Sequence, residues 1–120
     1  MEKNINLLLD EIVTINSVPN IKMIKLFTNT SYDWYSVEDV KELFCKQTGF
    51  DDWRVPTIDE MKELYKNRKS IEKELNSPLT GFYWSNYSVN VYLRHLALGF
   101  FTGGIIESNN KDLNKVCLVR

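Results

Sequence analysis

The run Trp53-Arg54-Val55-Pro56-Thr57-Ile58-Asp59-Glu60 restricts the fold of this chain more than any other segment. Thr57 and Glu60 stand at T-x-x-E spacing. In that arrangement the hydroxyl oxygen accepts the N–H three residues on, and the glutamate side chain accepts the threonine's own N–H. Two backbone donors that a helix end leaves without partners are satisfied locally, so a helix begins at residue 58. Pro56 precedes the cap, where no helical hydrogen bond is asked of it. Met61, Leu64 and Tyr65 then supply a buried face, which predicts helix over 58–67.

The same segment carries Asp51, Asp52 and Arg54, which invite a chemical reading as paired acids and an anion clamp. Such chemistry needs a nucleophile, base or ligand set beside it, and the neighbouring sequence offers none. The expectation is that the acids are solvated loop residues and that Trp53 is buried. Arg54 is then tied to loop backbone or to a carboxylate.

Other elements follow from period and punctuation. Ser36 is a candidate N-cap with Asp39 three residues on, Val37, Val40 and Phe44 recur at helical spacing, and Gly49 supplies a stop, predicting helix over 37–47. A short helix is expected over 71–75. Turn residues at 77–81 introduce a β-rich half: a strand at 82–85, an alternating run over 89–97, a break at Gly99, a run over 100–106 containing Gly103 and Gly104, a turn at Asn109-Asn110 and a last strand over 113–119. Helices followed by a strand meander argue for one α+β domain spanning 1–120, with two helices packed on a small antiparallel sheet. The first thirty residues fit either a helical stripe (Ile5, Leu8, Leu9, Ile12, Ile15) or strands, with strand favoured over 21–27.

Composition narrows the class of partner. The formal net charge of −1 comes from acids and bases scattered among one another, without the basic excess or stripe by which electrostatically driven nucleic-acid binding usually shows, so nucleic acid is not an expected partner. Asp10 and Glu11 interrupt the apolar cluster at Leu7–Leu9, and no secretory signal frames it. No apolar run reaches the ~20 residues of a membrane span. A soluble, cytoplasmic protein is expected, with an exported or surface-attached form as the alternative.

His95 falls on the apolar side of its strand. A lone histidine makes neither a metal site nor a relay, so a hydrogen-bonded core or boundary residue is expected. The glycine-rich run at 99–104 lacks the lysine and the strand-loop-helix setting of a phosphate loop. No cofactor or metal site is indicated. Cys45 on the first helix and Cys117 on the last strand lack zinc-site spacing; they are expected near one another, as a disulfide or as two buried thiols. Among the aromatics, Phe82 and Trp84 share one core-facing side of their strand, whereas Tyr83, Tyr87 and Tyr92, with Asn90 and Arg94, form a candidate ligand-binding surface.

The order of these residues resembles a bacterial family named for the C-terminal domain of a collagen-like adhesin. That family shows a tryptophan, a helix with a cysteine, a Gly-aromatic-x-Asp-Trp-Arg-Leu-Pro-Thr run and a Glu-Leu helix. Trp34, Cys45, Gly49, Phe50, Asp52, Trp53, Arg54, Pro56, Thr57 and Leu64 match, with Val55 in place of leucine. Tyr83-Trp84-Ser85-Asn86 is similar to its Tyr-Trp-Ser-Ser, and the closing residues 116–120 to its Arg-Cys-Val-Arg. The likeness covers about residues 32–120; the first thirty match poorly.

This resemblance implies a C-type-lectin-like fold, distantly related to formylglycine-generating enzymes, in which a cysteine of the first helix commonly bridges to one of the last strand. Together with the capping box, which assigns Thr57 and Glu60 to the helix end, it makes Cys45, Cys117, Trp53, Arg54 and Trp84 structural. The calcium motifs of sugar-binding lectins and the paired catalytic cysteines of the oxidases are absent from this sequence. The implied function is a non-catalytic module recognising a protein or glycan. One alternative is a small effector or regulatory protein that occludes a host protein; another is an enzyme with a residual site near His95 and Arg54.

Overall fold

A computed structural model describes residues 12–13, 24–75, 78–89 and 93–120. The alternatives for the first thirty residues otherwise fall outside these, as do the candidate site residues Asn90 and Tyr92. The described elements are β1 (Ile12–Val13), β2 (Ile24–Tyr32), α1 (Trp34–Thr48), α2 (Ile58–Lys66), α3 (Arg68–Leu75), β3 (Phe82–Val89), β4 (Arg94–Gly99), β5 (Ile105–Asn109) and β6 (Asn114–Val119). They form an α+β fold on one six-stranded sheet in the order β1-β2-β6-β3-β4-β5.

The expected antiparallel meander is corrected in its last step. β6 leaves β5 and inserts between β2 and β3, antiparallel to the former and parallel to the latter, so the sheet is mixed. The cause is legible in β6 itself. Val116 and Leu118 enter one core cluster, with Val37, Val40, Phe44, Trp53 and Trp84; Cys117 and Val119 enter the other, with Met61, Leu64, Ile71, Tyr83 and Leu98. Successive strand residues face opposite sides. A strand apolar on both sides is stable only in the middle of a sheet covered on both faces. α1 covers one face, and α2 with α3 the other.

This two-sided cover overturns two further expectations. Tyr83 is fully buried, because the face of β3 opposite Trp84 is also core, while Phe82 is 37% exposed. Cys45 packs against the α1-side cluster, whereas Cys117 points to the other side of the sheet. Both thiols are free, and the expected proximity is not found. The alternation over 89–97 is broken as well: it runs across a chain reversal, since Val89 pairs antiparallel with Arg94. Periodicity of two cannot distinguish a long strand from two strands of a hairpin. The short helix expected over 71–75 is present as α3 and begins earlier, at Arg68, so three helices rather than two pack on the sheet.

α1 starts earlier than expected. Its N-cap is Asp33, whose Oδ1 accepts the Ser36 N–H at 2.9 Å, leaving Ser36 buried inside the first turn. The helix ends at Gly49, whose φ of 78° is left-handed and whose N–H reaches the Cys45 carbonyl. α2 starts where expected. The Thr57 Oγ1 accepts the Glu60 N–H at 3.2 Å, and the Glu60 carboxylate accepts the Thr57 N–H at 2.9 Å.

Candidate functional site

The segment joining α1 to α2 is pinned at several points. Trp53 is 2% exposed. Its indole N–H donates to Thr48 Oγ1 at 2.8 Å, while that hydroxyl donates to the Phe44 carbonyl at 2.7 Å. The Arg54 backbone exchanges two hydrogen bonds with Val119, and Asn86 N–H donates to the Pro56 carbonyl. Arg54 grips Glu60 with both terminal nitrogens, at 2.5 and 2.7 Å. Glu60 therefore serves the helix cap and the loop arginine together. The Arg54 hydrogen bonds hold the Glu60 carboxyl below the usual carboxylate range, and the arginine is raised in turn. Asp52 is exposed, as expected, and also carries an ion pair. Arg120 donates to it at 2.6 and 3.2 Å while lying over the Phe50 ring at 3.7 Å. Asp51 is exposed. The acids and the arginine that looked like a constellation thus face separate partners.

Between this pinned segment, α1 and β3 lies a groove of about 250 Å³ lined by Trp34, Val37, Glu38, Lys41, Arg54, Val55 and Asn86. Trp34, Val37, Glu38 and Lys41 stand at positions i, i+3, i+4 and i+7 of α1, which puts them on one helix face. Trp34 is held from behind. Its ring stacks on His95 at 3.6 Å between centroids and meets Trp84 edge-on at 5.6 Å. Trp84 in turn donates its indole N–H to the Tyr32 carbonyl at 2.8 Å. The groove wall is thus backed by packed rings. Lys41, itself half-buried, contacts the exposed Glu38 at 3.0 Å. Such pairs contribute at most about 1 kcal/mol and exchange partners readily.

His95 is buried and shares a hydrogen bond of 2.8 Å between Nδ1 and the Asn110 side-chain oxygen. Asn110 also accepts the Trp34 N–H through its carbonyl, so the β5–β6 turn fastens the start of α1. His95 is a core residue bonded as expected, and it supports the groove from beneath without lining it. Cys117 is enclosed, and burial pushes its thiol well above the ordinary range. Among the described residues, no three His, Cys, Asp or Glu side chains gather as a metal site. No described helix is long and apolar enough to cross a membrane.

Of the surface read from sequence, Tyr87 is 53% exposed and Arg94 is exposed, the latter 3.5 Å from Glu107. Tyr83 is removed from that surface by burial. The groove itself went unread in the sequence, although its signal was present. The helical spacing of Trp34, Val37 and Lys41 runs beside the stripe of Val37, Val40 and Phe44, and Arg54 and Asn86 sit in two segments already singled out. Nothing local in the sequence says that β3 passes beside residues 54–56.

Comparison with protein-family models and with curated proteins finds no match.

Proposed function

We propose that this protein is a non-catalytic recognition module on a C-type-lectin-like scaffold, engaging a protein or glycan partner through the groove beside Trp34. One observation carries the reading: a recess lined by an aromatic, two cations and an amide is built from rigid, mutually fastened elements. Sites of this kind hold ligands by shape and a few placed polar groups. The separation of the reactive side chains favours recognition over catalysis. His95 is committed to Asn110 beneath Trp34, Cys117 faces the other core cluster, and Arg54 is bound to Glu60. Tyr87 and Arg94 supply a second, more open contact surface.

A peptide and glycan array screened with the folded protein tests this reading. The proposal expects a reproducible hit whose affinity drops about tenfold on removing a groove contact of the size of Asn86. Asn86→Ala should weaken it most, and the pair Tyr87→Ala and Arg94→Ala should weaken it less. Hits indifferent to all three substitutions would refute the site.

A further inference from the structure

The groove lining has an excess of hydrogen-bond donors. Among the described residues, no hydrogen bond engages the Trp34 indole N–H or the Asn86 side-chain amide. The Lys41 ammonium has three hydrogens and a single ion-pair contact, to Glu38. Arg54 spends one N–H from each terminal nitrogen on Glu60, leaving others of its five. Against these stand two side-chain acceptor groups at the lining, the Glu38 carboxylate, already paired, and the Asn86 amide oxygen. The rest of the lining, Trp34, Val37 and Val55, is apolar or aromatic.

From this imbalance, and resting on the groove as the recognition site, we propose that the ligand group is a carboxylate carried on a planar or branched apolar body the size of one amino-acid residue. The carboxylate accepts from Lys41, Arg54 and the Asn86 amide, and the body lies against Trp34, Val37 and Val55. Size agrees: about 250 Å³ corresponds to roughly eight waters at ~30 Å³ each. That is room for a body the size of one residue. Charge is compatible: the lining carries Lys41 and Arg54, paired with Glu38 and with Glu60 behind the lining, and the cations keep N–H donors beyond those pairs. Lys41 can turn toward a ligand, since its contact is with an exposed glutamate and such pairs are weak. Two sources offer this chemistry, a free small carboxylic acid and the C-terminal residue of a peptide.

The test is calorimetric titration with N-acetyl-L-phenylalanine, its neutral amide, and the pentapeptide Gly-Gly-Gly-Gly-Phe as free acid and as C-terminal amide. The acid should bind about tenfold more tightly than its amide, the usual effect of charge-assisted hydrogen bonds. Lys41→Gln should erase most of that preference. Lys73→Gln, on α3 at the other face of the sheet, should retain it, with circular dichroism verifying both folds. Binding of the free-acid pentapeptide would assign a peptide C-terminus as the source, and its failure beside a binding acetylated acid would assign a free small acid; either outcome supports the carboxylate. Equal affinity for acid and amide overturns the carboxylate and leaves the groove standing as an apolar recognition site. Absence of binding by every probe overturns the inference, while the array screen decides the recognition reading separately.

Discussion

Replacing Glu60 tests the joint on which the groove depends. Its carboxylate accepts the Thr57 N–H at 2.9 Å and two Arg54 donors at 2.5 and 2.7 Å, and its side chain is only 16% exposed, against 44% for Arg54. Glu60→Gln keeps an acceptor for the cap, which glutamine also serves, and removes the charge facing Arg54. An exposed pair is worth up to about 1 kcal/mol. This one lies near that upper bound, because the Val119 bridge already fixes the Arg54 backbone and less side-chain freedom is lost in forming it. Glu60→Ala also removes the returning half of the cap, about 1 kcal/mol more. The freed arginine is exposed enough to hydrate, so no buried charge is added to the loss. The expected costs are about 1 and about 2 kcal/mol, or about 4 and 8 °C in melting temperature for a chain of this size.

The pH dependence follows from the lowered Glu60 carboxyl. A group whose folded pKa lies below its unfolded value contributes stability above the unfolded value and loses it as pH falls through the folded one. The advantage of the natural protein over Glu60→Gln is therefore complete at pH 7 and shrinks below the ordinary carboxyl value of 4.5. Urea unfolding of both proteins at pH 7 and at lower pH measures this. A gap that stays constant with pH would refute the assignment of the stabilisation to the ionised pair.

Gly103→Ala and Gly49→Ala share a left-handed backbone, with φ of 76° and 78°, but a Cβ at 103 would stand 2.7 Å from the Tyr65 ring whereas one at 49 meets open space. The first should cost about 3 kcal/mol, combining backbone strain with overpacking, and the second about 1 kcal/mol; equal melting temperatures would contradict the packing of residues 99–104 on α2. Thiol labelling of the folded protein should modify Cys45, which is half-buried, well before Cys117, which is fully enclosed. Two reactive thiols should appear on unfolding without reductant, and a count of none would mean a bridge that the opposed strand faces do not allow.

Local signals in the sequence reached local structure with good fidelity. The Thr57–Glu60 box placed the start of α2, Gly49 the end of α1, and the buried Trp53 and paired Arg54 followed from the same short run. Asp33 and Ser36 offer the same cap chemistry three residues apart, and only the burial of Ser36 separates them. What failed was non-local. The place of β6 between β2 and β3 decides that both faces of β3 are covered, which buries Tyr83 and turns Cys117 away from Cys45. The unbroken apolar run at 116–119 was the available clue to a central strand, and it carries no partner's name. The groove combines both cases: its α1 residues were spaced legibly, while its opposite wall depends on a contact between residues 54–56 and β3.

The most direct measurement of the recognition groove is the set of three tryptophan indole N–H resonances in ¹⁵N-labelled protein, followed while N-acetyl-L-phenylalanine is added. Trp53 and Trp84 donate to Thr48 and to the Tyr32 carbonyl inside the fold, whereas Trp34 lines the recess. The account predicts that the Trp34 resonance moves most and saturates, that Trp84 follows slightly through its edge contact with Trp34, and that Trp53 stays in place. A Trp34 resonance that remains fixed at saturating ligand, or one that moves no more than that of Trp53, would contradict it.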